Sequence, residues 1–262
     1  MAAAALCLAS DTVCKPDAPC YSEASIVNIA SGTPGAIAPN TLASIYGTRL
    51  SYSPEKGLVP SDVSAEGVLP IVLPGTGVRV LVGGYPAHMF YVSATQVNFL
   101  VPSNLRPTTV DVQVVRDGVA GPAVSMKLRD AAPALFLMDP KSVIASHLDF
   151  SLVTADAPAR PGDWVILWAT GLGESNPPAD YGVIPIKAAW IVRQSEFRVL
   201  LNEVAVPPER ITYVGLAPYC AGLYQINVLL PSDAGPDPEV RIAVGTEISP
   251  AGTRLHLRAP AN

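Results

Sequence analysis

The chain has 262 residues, 49% hydrophobic and 15% charged, with a formal net charge of −5. That apolar content excludes a solvated coil, and the acidic balance excludes a nucleic-acid-binding face built on lysine and arginine. Proline, at 27 residues, is about twice its usual share. So many helix-terminating residues exclude a helix bundle and leave the all-β class.

The chain opens on the small apolar run Met1 to Ala9. It reads as the end of a secretory h-region with cleavage after Ala9, although it lacks a basic n-region; a short buried helix is the alternative. Residues 1–23 are thus a signal remnant and N-terminal segment of a secreted or cell-surface protein. No run reaches the roughly 18 apolar residues of a membrane helix. Cys14 and Cys20 bracket Pro16 and Pro19. In an exported chain this spacing predicts a local disulfide, because half a metal site would need further ligands of matching spacing nearby. Cys220 reads as a small buried hydrophobe.

The chain contains one unit twice. Pro39, Ile45, Tyr46, Thr48 and Leu50 are answered at a constant shift of 122 positions by Pro161, Leu167, Trp168, Thr170 and Leu172. Val78-Arg79-Val80-Leu81-Val82 is answered by Phe197-Arg198-Val199-Leu200-Leu201. Tyr91-Val92 before Gln96-Val97-Asn98-Phe99 is answered by Tyr213-Val214 before Gln225-Ile226-Asn227-Val228, with Gly215 to Leu223 inserted as a loop. Short alternating strands bounded by Pro, Gly, Asp and Asn are the signature of a sandwich. The expectation is two tandem β-sandwich units from an internal repeat, over 24–130 and 158–262. A bridging hairpin is expected over 131–157, and no helix longer than two turns. Trp164 and Trp168, four apart on one strand face, are expected in the core.

Several of these stretches carry a family resemblance. They include Pro34-Gly35-Ala36-Ile37-Ala38-Pro39, Tyr91-Val92-Ser93-Ala94-Thr95-Gln96-Val97-Asn98, Ala131-Ala132-Pro133-Ala134-Leu135-Phe136, Ala169-Thr170-Gly171-Leu172-Gly173 and Gly222-Leu223-Tyr224-Gln225-Ile226-Asn227. Taken in order over about residues 24–258, they resemble the uncharacterised C-terminal domain that recurs in secreted proteins of Acidobacteria such as Solibacter. Each half is also similar, at fold level, to the immunoglobulin-like TIG/IPT sandwich. The resemblance implies an exported all-β protein with immunoglobulin-like units. It supplies no catalytic residues.

Familiar catalytic signatures are absent: there is no H-E-x-x-H, G-x-S-x-G, P-loop or paired C-x-x-C. Gly75-Thr76-Gly77 and Gly171-Leu172-Gly173 read as turn glycines at strand ends. Of three histidines, His147 is the most suggestive. Ser146 or Ser151, His147 and Asp149 supply a nucleophile, base and orienter by residue type; polar surface is the other reading. The repeated Gln96/Asn98 and Gln225/Asn227 pairs are expected to satisfy backbone groups of a neighbouring loop; a functional role, invited by their recurrence in both copies, is the alternative. Asp233, Asp237 and Glu239 offer oxygen ligands for calcium, against a solvated turn. Tyr181 and Trp190, in a long connection, offer a stacking surface for a sugar or peptide; cover for the domain junction is the alternative. No other cofactor is expected. The leading expectation is a secreted tandem β-sandwich for adhesion, carbohydrate or protein binding, or structural support, with an extracellular glycan or protein as partner. The alternative is an unorthodox extracellular hydrolase of esters, lactones or glycans. Neither a nucleic-acid partner nor a membrane span is expected.

Overall fold

The computed structural model describes residues 14–106 and 108–258. The Met1 to Ala9 run, read as a signal remnant, lies outside the described residues. Strand formation follows the alternation in the sequence. Val78, Val80 and Val82 are fully buried while Arg79 between them is exposed, as a strand with one face on a core requires.

The first half forms β1 (Ile26–Asn28), β2 (Leu42–Tyr46), β3 (Lys56–Gly57), β4 (Val78–Val82) and β5 (Tyr85–Pro86). It continues with β6 (His88–Val92), β7 (Gln96–Leu100), β8 (Thr108–Arg116), β9 (Val119–Ala120) and β10 (Val124–Leu128). These build two antiparallel sheets, ordered β1-β2-β7-β6-β3 and β10-β8-β4-β5, with β9 on β8. Ile45, Val80, Met89, Phe99, Val112 and Met126 belong to the core between them.

The second half begins with β11 (Ala134–Leu135), β12 (Leu137–Asp139), β13 (Ser142–Val143), β14 (Ala145–Ser146), β15 (Trp164–Thr170), β16 (Ser175–Asn176) and β17 (Ala189–Ile191). It ends with β18 (Phe197–Leu201), β19 (Val204–Ala205), β20 (Ile211–Leu216), β21 (Tyr224–Leu229), β22 (Val240–Val244) and β23 (Glu247–Ile248). One sheet runs β11-β15-β21-β20-β17-β16 with β14 on β15, a second β19-β18-β22-β23, and β12 and β13 form a two-stranded sheet. Leu135, Leu167, Val199, Tyr224 and Ile242 belong to its core. The protein is an all-β tandem of two sandwiches. Among the described residues there is no α-helix, only single turns of 3-10 helix, and no helix long and apolar enough to cross a membrane.

The repeat extends to register. Tyr46 pairs with Gln96 and Trp168 with Gln225, while Tyr91 pairs with Asn98 and Tyr213 with Asn227. Each β6–β7 and β20–β21 ladder also carries an irregularity just before that tyrosine, between Met89 and Tyr91 and between Ile211 and Tyr213.

Two expectations need correcting. Residues 131–157 do contain a hairpin, β12 on β13, but the segment is not a separate bridge: β11 and β14 both pair with β15, and Val143 donates its N–H to Arg254. Ala131, Leu135, Val143, Ala145 and Val153 pack in the second core, because their apolar alternation completes that sheet's edge. Trp164 and Trp168 are not core residues either. Val165, Leu167 and Ala169 take the core side of β15, so both indoles lie on its outer face, partly exposed.

The two sandwiches meet through a small apolar cluster. Leu69, Leu100 and Ala221 are buried there, with Leu42, Phe90 and Ile184 packed against them. The Thr170 hydroxyl accepts the Leu42 N–H at 2.9 Å and donates to the Gly222 carbonyl at 2.7 Å. The Leu69 N–H donates to the Gly182 carbonyl at 2.8 Å, and the Ile184 N–H to that of Gly67 at 2.9 Å.

His88 lies buried in this junction. Its Nδ1–H donates to the Leu69 carbonyl at 2.6 Å, and the Tyr181 ring packs edge-on at 4.5 Å. No carboxylate hydrogen-bonds the ring among the described residues, and burial holds its pKa below the ordinary 6.5. The unfolded chain therefore takes up this proton at a higher pH than the fold does, so stability falls as pH drops below about 6.5 and levels off at the folded pKa. Thermal melts between about pH 7.5 and 5 are expected to show this loss. His88→Gln is expected to remove most of that slope.

Candidate functional site

Between the sandwiches lies a cleft of about 630 Å³. Asn40, Ser103, Asn104 and Arg106 line it from the first half, and Glu174, Asn176, Trp190 and Gln194 from the second. Asn40 sits at positive φ within the turn closed by the Thr41 N–H on the Ala38 carbonyl, with its own N–H on the Val101 carbonyl. Arg106 and Glu174 form an ion pair from one half to the other at the exposed rim. The two charges meet each other, so the cleft presents amides, a hydroxyl and an indole rather than a free charge.

Trp190 stands out because its strand neighbours Ala189 and Ile191 both enter the core. That alternation turns the indole to the outer face, where it is 38% exposed. The Tyr213 ring holds it edge-on at 5.0 Å. Tyr213 is itself fixed, its phenol donating to the Leu216 carbonyl at 2.6 Å. The expected pairing of Trp190 with Tyr181 does not occur. Tyr181 packs on His88, and its phenol donates to the Pro86 carbonyl, with burial pushing its pKa up. It is a junction residue because the 177–187 connection folds back onto the first sandwich. Pro178 and Ala179 also line a second groove of about 520 Å³, with Ile184, Pro185 and Ile186.

His147, Asp149 and Ser151 share a tight turn closed by the His147 N–H on the Ser151 carbonyl at 2.8 Å. The Ser151 hydroxyl donates to Asp149 at 2.6 Å, while His147 Nε2 lies 3.3 Å from the Ala157 carbonyl. Ser146 is buried and accepts the Trp168 indole N–H at 3.0 Å. The structure brings these residues together without the serine–imidazole contact that a nucleophile and base require, since the Ser151 hydroxyl goes to Asp149 within the turn and the buried Ser146 hydroxyl meets Trp168 on the paired strand. The two bonds from Ser151 hold the Asp149 carboxyl below the usual range.

The proposed calcium ligands do not converge. Asp237 accepts the Leu257 N–H at 3.0 Å and Glu239 the Gly252 N–H at 2.6 Å, so both carboxylates cap backbone in separate places, and Asp233 is exposed. Among the described residues no three His, Cys, Asp or Glu side chains gather as a metal site. Cys14 and Cys20 are joined in a disulfide. Cys220 is exposed rather than buried, because it lies on the loop after β20.

The sequence reading also missed Asn104 and Gln194 in the cleft, since one sits in a turn and the other starts a single turn of 3-10 helix, neither with a periodic signal. It misassigned the amide pairs as well. Gln96 Nε2 donates to Asn98 Oδ1 at 2.9 Å and Gln225 Nε2 to Asn227 Oδ1 at 2.8 Å, with no loop backbone as partner.

No family model matches the chain, and no curated protein matches it. Among solved structures it is similar to the surface glycan-binding protein PbSGBP-B from Prevotella bryantii, at 12% identity and TM-score 0.28, over 89% of this chain and 42% of that one. It is similar to SGBP-B of the Bacteroides ovatus mixed-linkage glucan utilization locus, in complex with a mixed-linkage heptasaccharide, at 10% identity and TM-score 0.32, over 85% and 43%. Domains 5–6 of the S-layer protein SbsC align at 8% identity and TM-score 0.28, over 93% and 100%. The chain spans less than half the length of the first two. With TM-scores this low, the fold rests on the sheets described above.

Proposed function

We propose that this chain is an exported, non-catalytic binding module that holds a neutral glycan in the cleft between its sandwiches. The observation that carries this reading is the partly exposed Trp190 indole beside the amides of Asn104, Asn176 and Gln194, with the lining charges among the described residues, Arg106 and Glu174, paired to each other. An aromatic face takes the apolar C–H side of a sugar ring, and amides both donate to and accept from hydroxyls. The disulfide fits an oxidising compartment outside the cell, as does the resemblance to the Acidobacteria domain. A hydrolase reading has no supporting geometry, because the Ser151 hydroxyl is bound to Asp149 and Ser146 is buried under Trp168.

The test is affinity gel electrophoresis of the purified chain through soluble neutral polysaccharides: mixed-linkage glucan, xyloglucan and galactomannan. At least one is expected to retard the protein. Trp190→Ala and Asn104→Ala, checked for folding by circular dichroism, are each expected to weaken that retardation about tenfold, the scale of losing one anchoring contact. Retardation unchanged by both substitutions would refute the cleft as the site.

A further inference from the structure

The amide pairs belong to a pattern that the cleft does not use. On β7, Val97 and Phe99 enter the first core, so Gln96 and Asn98 point to the outer face. On β21, Ile226 and Val228 enter the second core, and Gln225 and Asn227 point outward in the same way. Each pair has the same aromatic neighbours. Tyr46 stands across from Gln96 and Tyr91 across from Asn98; Trp168 stands across from Gln225 and Tyr213 across from Asn227. The irregularity before each tyrosine is repeated too, and such bulges re-aim a side chain.

The hydrogen bonds leave the useful atoms open. In both copies the Gln amide nitrogen is spent on the Asn oxygen, and Ser44 adds its hydroxyl to Asn98 at 2.8 Å. The Gln oxygens and Asn nitrogens have no protein partner among the described residues, and none of these atoms is buried away from water. Each face therefore offers one free acceptor and one free donor side by side, flanked by aromatic rings. In the second sandwich the row extends as Trp168, Gln225, Gly215 and Trp190, about 14 Å at the spacing of neighbouring strands. A Cβ on Gly215 would come 2.1 Å from the Ala189 carbonyl and 2.6 Å from the Tyr213 hydroxyl, so that floor position takes no side chain.

We propose that each sandwich carries an equivalent outer-face subsite for a neutral sugar chain, Tyr46–Gln96–Asn98–Tyr91 in the first and Trp168–Gln225–Asn227–Tyr213 in the second. This deepens the carbohydrate reading and rests on it, but it places binding on residues outside the cleft. The charge pattern selects the occupant. No charged side chain lies in either set, and Glu55 accepts the Tyr91 phenol at 2.8 Å at the edge of the first. A polyanion would find no cation here, whereas hydroxyls match a free amide donor and acceptor. Two such subsites on one chain bind a polymer with avidity.

The same electrophoresis tests it on the full chain with Gln96→Ala, Gln225→Ala and the double variant. Tyr46→Ser with Trp168→Phe serves as a second pair should an amide variant misfold. Each single substitution is expected to weaken retardation severalfold and the double about a hundredfold, the scale of lost avidity. Retardation by a neutral polysaccharide that survives in both double variants, but is lost in Asn104→Ala, overturns this inference and leaves the cleft standing. Loss in the double variants with Asn104→Ala intact supports it and removes the cleft. No retardation of the unaltered chain overturns both.

Discussion

Gly171→Ala is expected to destabilise the chain by about 2–5 kcal/mol and lower its Tm by about 5–15 °C, the sum of a left-handed backbone penalty and a steric clash. Gly171 has φ +79°, where an L side chain is strained whatever the space. A Cβ would also lie 2.1 Å from the Ala132 carbonyl oxygen and 2.8 Å from its carbon. That carbonyl has little freedom to move away, because the Ala132 N–H donates to the Gly171 carbonyl at 2.8 Å. Gly173 has the same problem against Asp130, at 2.3 Å. Gly162→Ala is the control. Its φ is +85° with nothing within 4 Å, so only the backbone penalty of about 1 kcal/mol applies. Chemical denaturation of the two variants measures the difference, and equal losses would show that the 130–132 segment does not clamp this strand end.

The Gly-Leu-Gly stretch shows what the sequence could and could not convey. Two glycines at a strand end announce a turn, but the backbone lying against them comes from 40 residues away, and no local pattern records that. The repeat was legible for the opposite reason. A fixed offset of apolar and aromatic positions survives only if both copies keep the same register, which the pairing of Tyr46 with Gln96 and Trp168 with Gln225 displays.

Alternation told which residues share a face, not which face is covered. Trp164 and Trp168 were placed together correctly on β15 but on the wrong side, because Val165, Leu167 and Ala169 already fill the core. Tyr181 and Trp190, in one connection, read either as one stacking surface or as cover for the junction, and each residue takes a different one of these places. The connection between them folds back, sending Tyr181 to His88 and leaving Trp190 with Tyr213. The His147 cluster failed on a finer scale. A turn that closes within five residues occupies its own hydroxyl and carboxylate, so proximity in sequence removes the groups that catalysis would need.

Arg116→Ala is expected to cost about 3–5 kcal/mol, the range for deleting a large buried side chain that also leaves polar groups without partners. Arg116 ends β8 at 2% exposure, and its guanidinium donates to the carbonyls of Arg49 and Asp17. The Tyr52 ring lies 3.7 Å from the guanidinium carbon, and Nε has no partner. No carboxylate hydrogen-bonds this cation among the described residues; carbonyl dipoles and an aromatic face stabilise it instead. The two carbonyls belong to neighbouring segments that are also joined by the Cys20–Thr48 backbone pair and by the Arg49 Nε–H on the Ala18 carbonyl at 3.0 Å. Asp17 sits in the loop closed by Cys14 and Cys20, and Arg49 in a turn at φ +56°. The planar fork thus adds a buried tie from β8 to the disulfide loop at Asp17 and to the Arg49 turn. Arg116→Lys retains the charge but not the fork, so one ammonium cannot serve both carbonyls and stack on Tyr52, and an intermediate loss of about 1–2 kcal/mol is expected. Urea denaturation gives both values, and limited proteolysis locates the effect. Cleavage within 15–19 should appear in Arg116→Ala while the disulfide is intact. Equal stability of Arg116→Lys and the unaltered chain would mean that a point charge suffices and that the fork does not anchor the loop.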